Sequence, residues 1–307
     1  MGGDCSAQIE AFFRFCPEVA PAVAGLVVYL ILALVSGVVS FRSRAWFTLL
    51  TPITAACEAA GFAARISFLN APEYGAYVVM ALFLIVTPTL LAVVAYIVVG
   101  RLLAMQGAER VGCIKSSSLV RMFTTSDAIT LFIQMSGGGL MAAKDRDMAT
   151  MGESIMLAGL LLQLCFFATF TVVAAHVHAN AAKFGLKGQP GVRRLFASLY
   201  ACIALLTLRN TFRVIEFSQG FDGYLATHEM YFYVLDLVPV SLAVATLTVL
   251  HPGVLLAKIA GAQGITAAGN KVAVAAVPED VEGGAAQLVA NMVTVTGTRG
   301  SSRDNTP

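Results

Sequence analysis

Arg209, Arg213 and Glu216 stand in RNTFRVIEFSQG (209–220), directly after the apolar run LFASLYACIALLTL. That run is most of a membrane span, so the three charges enter before a bilayer has been crossed. A charged side chain at mid-bilayer costs on the order of 2.5–3.5 kcal/mol on insertion scales, and it persists when it is paired or lines a polar cavity. The spacing i, i+4, i+7 places all three on one helix face. Glu229, Tyr233 and Asp236 repeat it, Glu58 and Arg65 are i, i+7, and a further apolar stretch carries Asp127 and Gln134. The seven cluster residues Glu58, Arg65, Arg209, Arg213, Glu216, Glu229 and Asp236 hold three positive and four negative charges. One reading is an ion-pair network that only holds helices together. The other is a polar cavity whose net charge of minus one favours a cationic head group.

The elements that must position these residues are membrane helices. Hydrophobic residues make up 58% of the 307 and charged residues 12%, with mean hydropathy +0.79; a soluble domain has about 25% charged residues. A spanning helix needs about 20 mostly apolar residues. Seven stretches qualify, at roughly 21–41, 46–66, 75–99, 122–142, 155–176, 195–216 and 230–251. Lys and Arg fall fourteen to three on alternate sides, with Arg65, Arg209 and Arg213 left inside spans. The positive-inside rule makes the rich side cytoplasmic. The expectation is an all-α integral membrane protein of seven transmembrane helices, N-terminus outside and C-terminus cytoplasmic. It has an extracellular head (1–20), a helical domain (21–253) and a mostly disordered cytoplasmic tail (254–307).

Depth follows from that topology. Arg209 lies about eight residues below the outer end of its span, or ~12 Å at 1.5 Å per residue. Asp236 and Glu58 lie at similar depth. The expectation is a pair of Arg209 with Asp236 or Glu58, beneath an outer tier of Arg213, Glu216, Glu229 and Arg65, with Tyr233 on the same stripe. Asp127 and Gln134 form a secondary polar site, with Asp127 apart from the cluster.

Other features are secondary. Pro88 and Pro239 should kink their spans. Gly137, Gly138 and Gly139 thin span 4 so that a neighbouring helix or a ligand can approach. Cys5 and Cys16 fall on the outer side, where a disulfide is permitted. No cleavable signal peptide is expected, because the head is acidic and the first apolar run is span-length. No cofactor or metal site is expected.

These residues resemble a known family. RNTFRVIEFSQGFDGYLATHEMYFYVLD, with HPG at 251–253, is similar to the signature of the fungal RTA-like lipid-translocating exporters, seven-span proteins linked to aminocholesterol resistance and sphingoid long-chain base export. EAAGFAAR (58–65), TPTLLAVVAY (87–96), SDAITLFIQMSGGG (126–139) and GLLLQ (159–163) follow in family order. Span 1 departs: PEVAPAVAG stands where the family often shows a Tyr-x-Pro-Ser entry. The resemblance implies Glu58, Arg65, Asp127, Gln134, Arg209, Arg213, Glu216, Glu229 and Asp236 as signature positions, without roles. It also implies an amphipathic amine, a sphingoid base or aminosterol-like lipid, as partner, and the plasma membrane as a location, an endomembrane being the alternative.

Three functions compete. A lipid transporter or floppase would be gradient-driven or facilitative, since GITAAGNK (264–271) lacks the Ser or Thr and the strand–helix context of a phosphate-binding loop. A lipid-sensing receptor also suits seven spans; VVGRLL after span 3 lacks a DRY triplet, and span 7 has no lysine for a retinal Schiff base. An intramembrane metal hydrolase needs converging histidines, whereas His176, His178, His228 and His251 are scattered. The chain is therefore expected not to be an enzyme, and nothing points to nucleic acid.

Overall fold

The computed structural model describes residues 17–107, 110–111, 114–141, 146–183, 186, 188–220, 223–225 and 227–262. The expectations for Cys5, Cys16, most of the head and the tail beyond 262 lie outside the described residues. In hydrocarbon a chain must satisfy its backbone internally, and long apolar runs do so as helices. The order is α1 (Val19–Ser43), a 3₁₀ turn (Trp46–Leu49), α2 (Leu50–Asn70), α3 (Tyr74–Met105), α4 (Ser116–Met141), α5 (Arg146–Ala179) and α6 (Val192–Ser218). Helix α7 begins as a turn (Glu229–Phe232), passes through a π-helical turn (Tyr233–Leu237) and ends as Val238–Val249; α8 (Pro252–Ala262) follows. A two-residue hairpin, Arg110–Val111 with Ile114–Lys115, joins α3 to α4.

The all-α membrane fold stands. Six helical stretches among the described residues are long and apolar enough to cross a bilayer: Val19–Ser43, Trp46–Asn70, Gly75–Met105, Asp147–Ala179, Val192–Ser218 and Glu229–Ala262. They match six of the seven expected spans, and the chain is a multi-pass membrane protein. The seventh, α4, has 26 residues, or ~39 Å of helix, but Ser126, Asp127, Gln134, Ser136 and its glycines dilute its hydropathy below the rest.

Helix α3 is the hub. Its segment 90–99 is buried throughout, and α2, α4, α6 and α7 pack around it. Helix α1 instead turns Leu30, Ile31 and Leu34 outward, as do Phe132 of α4 and Val172 of α5, which suits helices bathed in lipid. Residues 254–262, assigned to the tail from sequence, continue as α8, which packs on α1, α3 and α6. Pro252 supplies a first-turn residue that needs no donor. A Cβ on Gly253 would stand 2.4 Å from Ala45 Cβ, so this glycine lets α8 meet the α1–α2 turn.

Helices α4 and α5 touch backbone to backbone. A Cβ on Gly137 would stand 2.7 Å from Met156 N, and one on Gly152 would stand 2.6 Å from Met141 N. Gly137→Leu should therefore part the two helices and lower stability by about 1–3 kcal/mol, the usual cost of overpacking. Gly139→Leu should be tolerated, because nothing lies within 4 Å of its Cβ position. Thermal melting of the two purified variants in one detergent checks this; equal melting temperatures would contradict it.

Candidate functional site: a buried ion cluster

The site is built where α2, α3, α6 and α7 converge, and a proline begins it. Pro88 sits inside α3 and has no N–H, so the carbonyl of Leu84 loses its normal i+4 donor. Arg209 fills that vacancy: its Nη2 donates to Leu84 O at 2.6 Å. Its Nε donates to Asp236 Oδ1 at 2.7 Å and its Nη1 to Asn210 Oδ1 at 3.3 Å. Arg209 is only 2% exposed and is the largest fully buried side chain among the described residues.

A second proline shapes the acid's side. Pro239 cannot donate to the carbonyl four residues back, and the helix just before it widens into the π turn Tyr233–Leu237. The extra residue in such a turn re-aims the side chains around it, and Asp236 lies within it, buried. Tyr29 of α1 donates its hydroxyl to Leu237 O at 3.2 Å. Pro88 thus marks a site where a freed backbone carbonyl meets a polar side chain.

Arg213 adds a second guanidinium to the same carboxylate. Its Nη2 reaches Asp236 Oδ2 at 2.5 Å and its Nε reaches Oδ1 at 3.3 Å, while Nη1 donates to Glu216 Oε2 at 3.1 Å. This corrects the two-tier expectation, which placed Arg213 only among the outer residues. Residues four apart share a face, so both guanidinium groups reach one acid. Toward the chain ends of α2 and α7, Arg65 Nη2 donates to Glu229 Oε1 at 2.7 Å, and Tyr233 OH donates to the same oxygen at 3.1 Å. Glu229 Oε2 accepts from the backbone N of Glu18 at 3.0 Å, which ties the entry of α1 to α7. Phe232 lies between the tiers, with the Arg65 guanidinium 5.0 Å and the Arg213 guanidinium 5.5 Å from its ring centre. Such contacts stabilise a desolvated cation. The side chains of Glu216 and Glu229 keep 16% and 15% of their surface, against 2% and 6% for Arg209 and Asp236. Burial therefore deepens along the cluster.

Glu58 is different. It is 3% exposed and feels Asp236, Arg209 and Arg213 electrostatically. Yet among the described residues it forms no ion pair, and its Oε1 has no hydrogen-bond partner. Of the two acids offered to Arg209 by the sequence, the structure selects Asp236.

The secondary polar residues form two linked sites. Tyr96 OH donates to Asp127 Oδ2 at 2.9 Å, and Asp127 Oδ1 is buried without a partner. Asp127, Thr89, Gln163 and Asn210 border a cavity of about 10 Å³, room for one water. Asn210 also accepts from Arg209, so the cavity that Asp127 borders reaches a residue bonded to the cluster, while among the described residues Asp127 itself makes no hydrogen bond to the cluster. Gln134 Nε2 donates to Gln163 Oε1 at 2.7 Å, and Gln163 Nε2 to Thr89 Oγ1 at 3.1 Å. Sequence reasoning missed Asn210, Thr89, Tyr96 and the Leu84 carbonyl. The last was findable, since a helical proline names the carbonyl four residues before it.

The histidines have separate partners. His178 stacks on Phe196, His251 meets Ser40 and His228 meets Tyr224.

Comparison with known proteins places this sequence in a family. The model of the family described as RTA1 like protein matches residues 52–259, from the start of α2 into α8. Protein RTM1 of Saccharomyces cerevisiae is 31% identical over 210 residues, which is 65% of this chain and 66% of that protein. The same yeast's Protoporphyrin uptake protein 1 is 31% identical over 62% of this chain and 64% of its own length. Its Sphingoid long-chain base transporter RSB1 is 27% identical over 74% of this chain and 70% of its own. The chain thus spans slightly under two thirds of the length of the first two relatives. No solved structure matches. All the charged residues of the cluster fall within the matched segment, and the chain belongs to the RTA1-like protein family.

Proposed function

We propose that the chain is a lipid transporter of floppase type, which moves a single-chain amphipathic amine such as a sphingoid long-chain base between leaflets or out of the cell. The reading includes seven crossings with the N-terminus outside, residence at the plasma membrane and protection against toxic lipids. One observation carries it: Glu58 is the acid left over when the cluster's cations are paired. Arg65 takes Glu229, Arg213 takes Glu216, and both Arg209 and Arg213 take Asp236. A buried carboxylate with a free oxygen is costly, and an ammonium group arriving at Glu58 would relieve that cost. The relatives' names speak of a porphyrin and of a sphingoid base, and a surplus acid favours the base. The more exposed end, at Glu216 and Glu229, would be the entrance, and the Arg65–Glu229 pair with Phe232 its outer barrier.

The test is leaflet exchange of a labelled sphingoid base in vesicles carrying the purified protein. Wild type should exceed empty vesicles. Glu58→Gln, which keeps shape and removes charge, should lower the rate about tenfold or more while melting like wild type, the loss expected for a desolvated charge pair. Binding of the base without exchange would instead favour a lipid-sensing receptor. Equal rates for Glu58→Gln and wild type would remove Glu58 from the pathway.

A further inference from the structure

A groove of about 290 Å³ lies between α3, α4 and α5. Its walls include Tyr77, Ala81 and Ile85 of α3, one face at i, i+4, i+8, with Gly139 of α4 and Met156 of α5. Gln134 also lines it. This side chain is 1% exposed, and with Nε2 spent on Gln163 its Oε1 is buried without a hydrogen-bond partner. The ion cluster meets α3 elsewhere, at Leu84, whose side chain packs on Gly61 of α2. The groove is thus separate from the cluster and joined to it by the polar chain Gln134–Gln163–Thr89 and by the small cavity bordered by Asn210, which accepts from Arg209.

We infer that this groove seats the hydrocarbon chain of a single-chain amphiphile that bears a hydroxyl or ammonium donor, and that Gln134 Oε1 accepts from that donor. The inference rests on the transport reading and names the seat of that substrate's chain. The volume is near the lower end of ordinary ligand pockets, which suits one chain and not a sterol or two acyl chains. The lining is mostly apolar, with Tyr77 and Gln134 as its polar-bearing side chains. An ordinary phospholipid tail fills the groove but leaves Gln134 Oε1 unpaired, whereas a chain with a donor near its head satisfies it. Gly139 keeps the groove open, since a side chain there meets no wall within 4 Å of its Cβ and would project into the space.

The experiment uses the full chain in nanodiscs and a sphingoid base carrying a diazirine on its chain and a terminal alkyne. Crosslinked peptides are mapped after illumination. Label should concentrate in 77–86 and 134–139. Gly139→Leu should abolish it by filling the groove, and Ala81→Leu does the same from α3 if the first variant fails to fold. Gln134→Leu should weaken labelling about tenfold, one lost hydrogen bond to a buried group. Phe132→Leu, on the same helix but outside the lining, should leave it unchanged. Label spread evenly over lipid-facing helices, or undiminished in the filled variants, would overturn the seat. Label undiminished in Gln134→Leu would overturn the hydrogen bond. A labelled groove without vesicle exchange would remove transport and keep the seat; exchange with an unlabelled groove would do the reverse.

Discussion

Asp236→Asn should be the most damaging single substitution in the protein. Among the described residues Asp236 is the one carboxylate bonded by both Arg209 and Arg213, and the cluster holds both guanidinium groups away from solvent. Asparagine keeps the size and one acceptor oxygen but removes the charge that offsets two buried cations. Breaking a buried pair by removing one partner costs about 3–5 kcal/mol, and here two cations lose the same partner. The purified variant should melt well below wild type and be recovered in lower yield. Removing all three charges, with Arg209→Met, Arg213→Met and Asp236→Leu together, should recover part of the loss, because no buried charge is then stranded. Wild-type melting of Asp236→Asn would mean that water or lipid head groups already solvate the arginines. A triple variant worse than the single one would mean that the network's hydrogen bonds, not its charge balance, hold the helices.

Much of this arrangement was legible in the sequence because intramembrane charge is rare and helical spacing is rigid. The i, i+4, i+7 repeats put Arg209, Arg213 and Glu216 on one stripe and Glu229, Tyr233 and Asp236 on another, and those stripes do face each other. What spacing could not supply was the choice between equally deep acids. Glu58 and Asp236 are alike in depth by residue count, and spacing does not reveal that Asp236 lies in a widened turn before Pro239. Reach was the second gap. An arginine spans more than a helical turn, so assigning Arg213 to the outer tier by residue count ignored a side chain long enough to join the inner one. The three glycines show a third limit. Composition offered either helix packing or a ligand, and the structure divides them: Gly137 admits the backbone of α5, while Gly139 faces the open groove. Two of the polar residues that lower the hydropathy of α4, Asp127 and Gln134, are the ones that join it to Tyr96 and Gln163.

Arg209→Ala should cost more than Arg213→Ala, and the reason lies in α3 as well as in the acid. Each substitution leaves Asp236 with one cation instead of two. Arg213→Ala additionally releases Glu216, but that carboxylate keeps 16% of its side-chain surface and can take its hydrogen bonds from water. Arg209→Ala releases the Leu84 carbonyl, which the proline at 88 has already deprived of its helical donor, and it empties a fully buried volume. The expected loss is about 3–5 kcal/mol for Arg209→Ala and about 1–2 kcal/mol less for Arg213→Ala, since an unsatisfied buried carbonyl costs about that much. A double-mutant cycle isolates the carbonyl's share. In Pro88→Ala, residue 88 regains its N–H and can donate to Leu84 O, so the further loss of Arg209 should hurt less than it does beside proline. A coupling of about 1 kcal/mol between positions 88 and 209 is the expected result, read from melting of the wild type, both single variants and the double variant. Additive costs would show that Arg209 serves Asp236 alone, and the proline's place in the site would then be an accident of packing rather than the reason an arginine stands so deep.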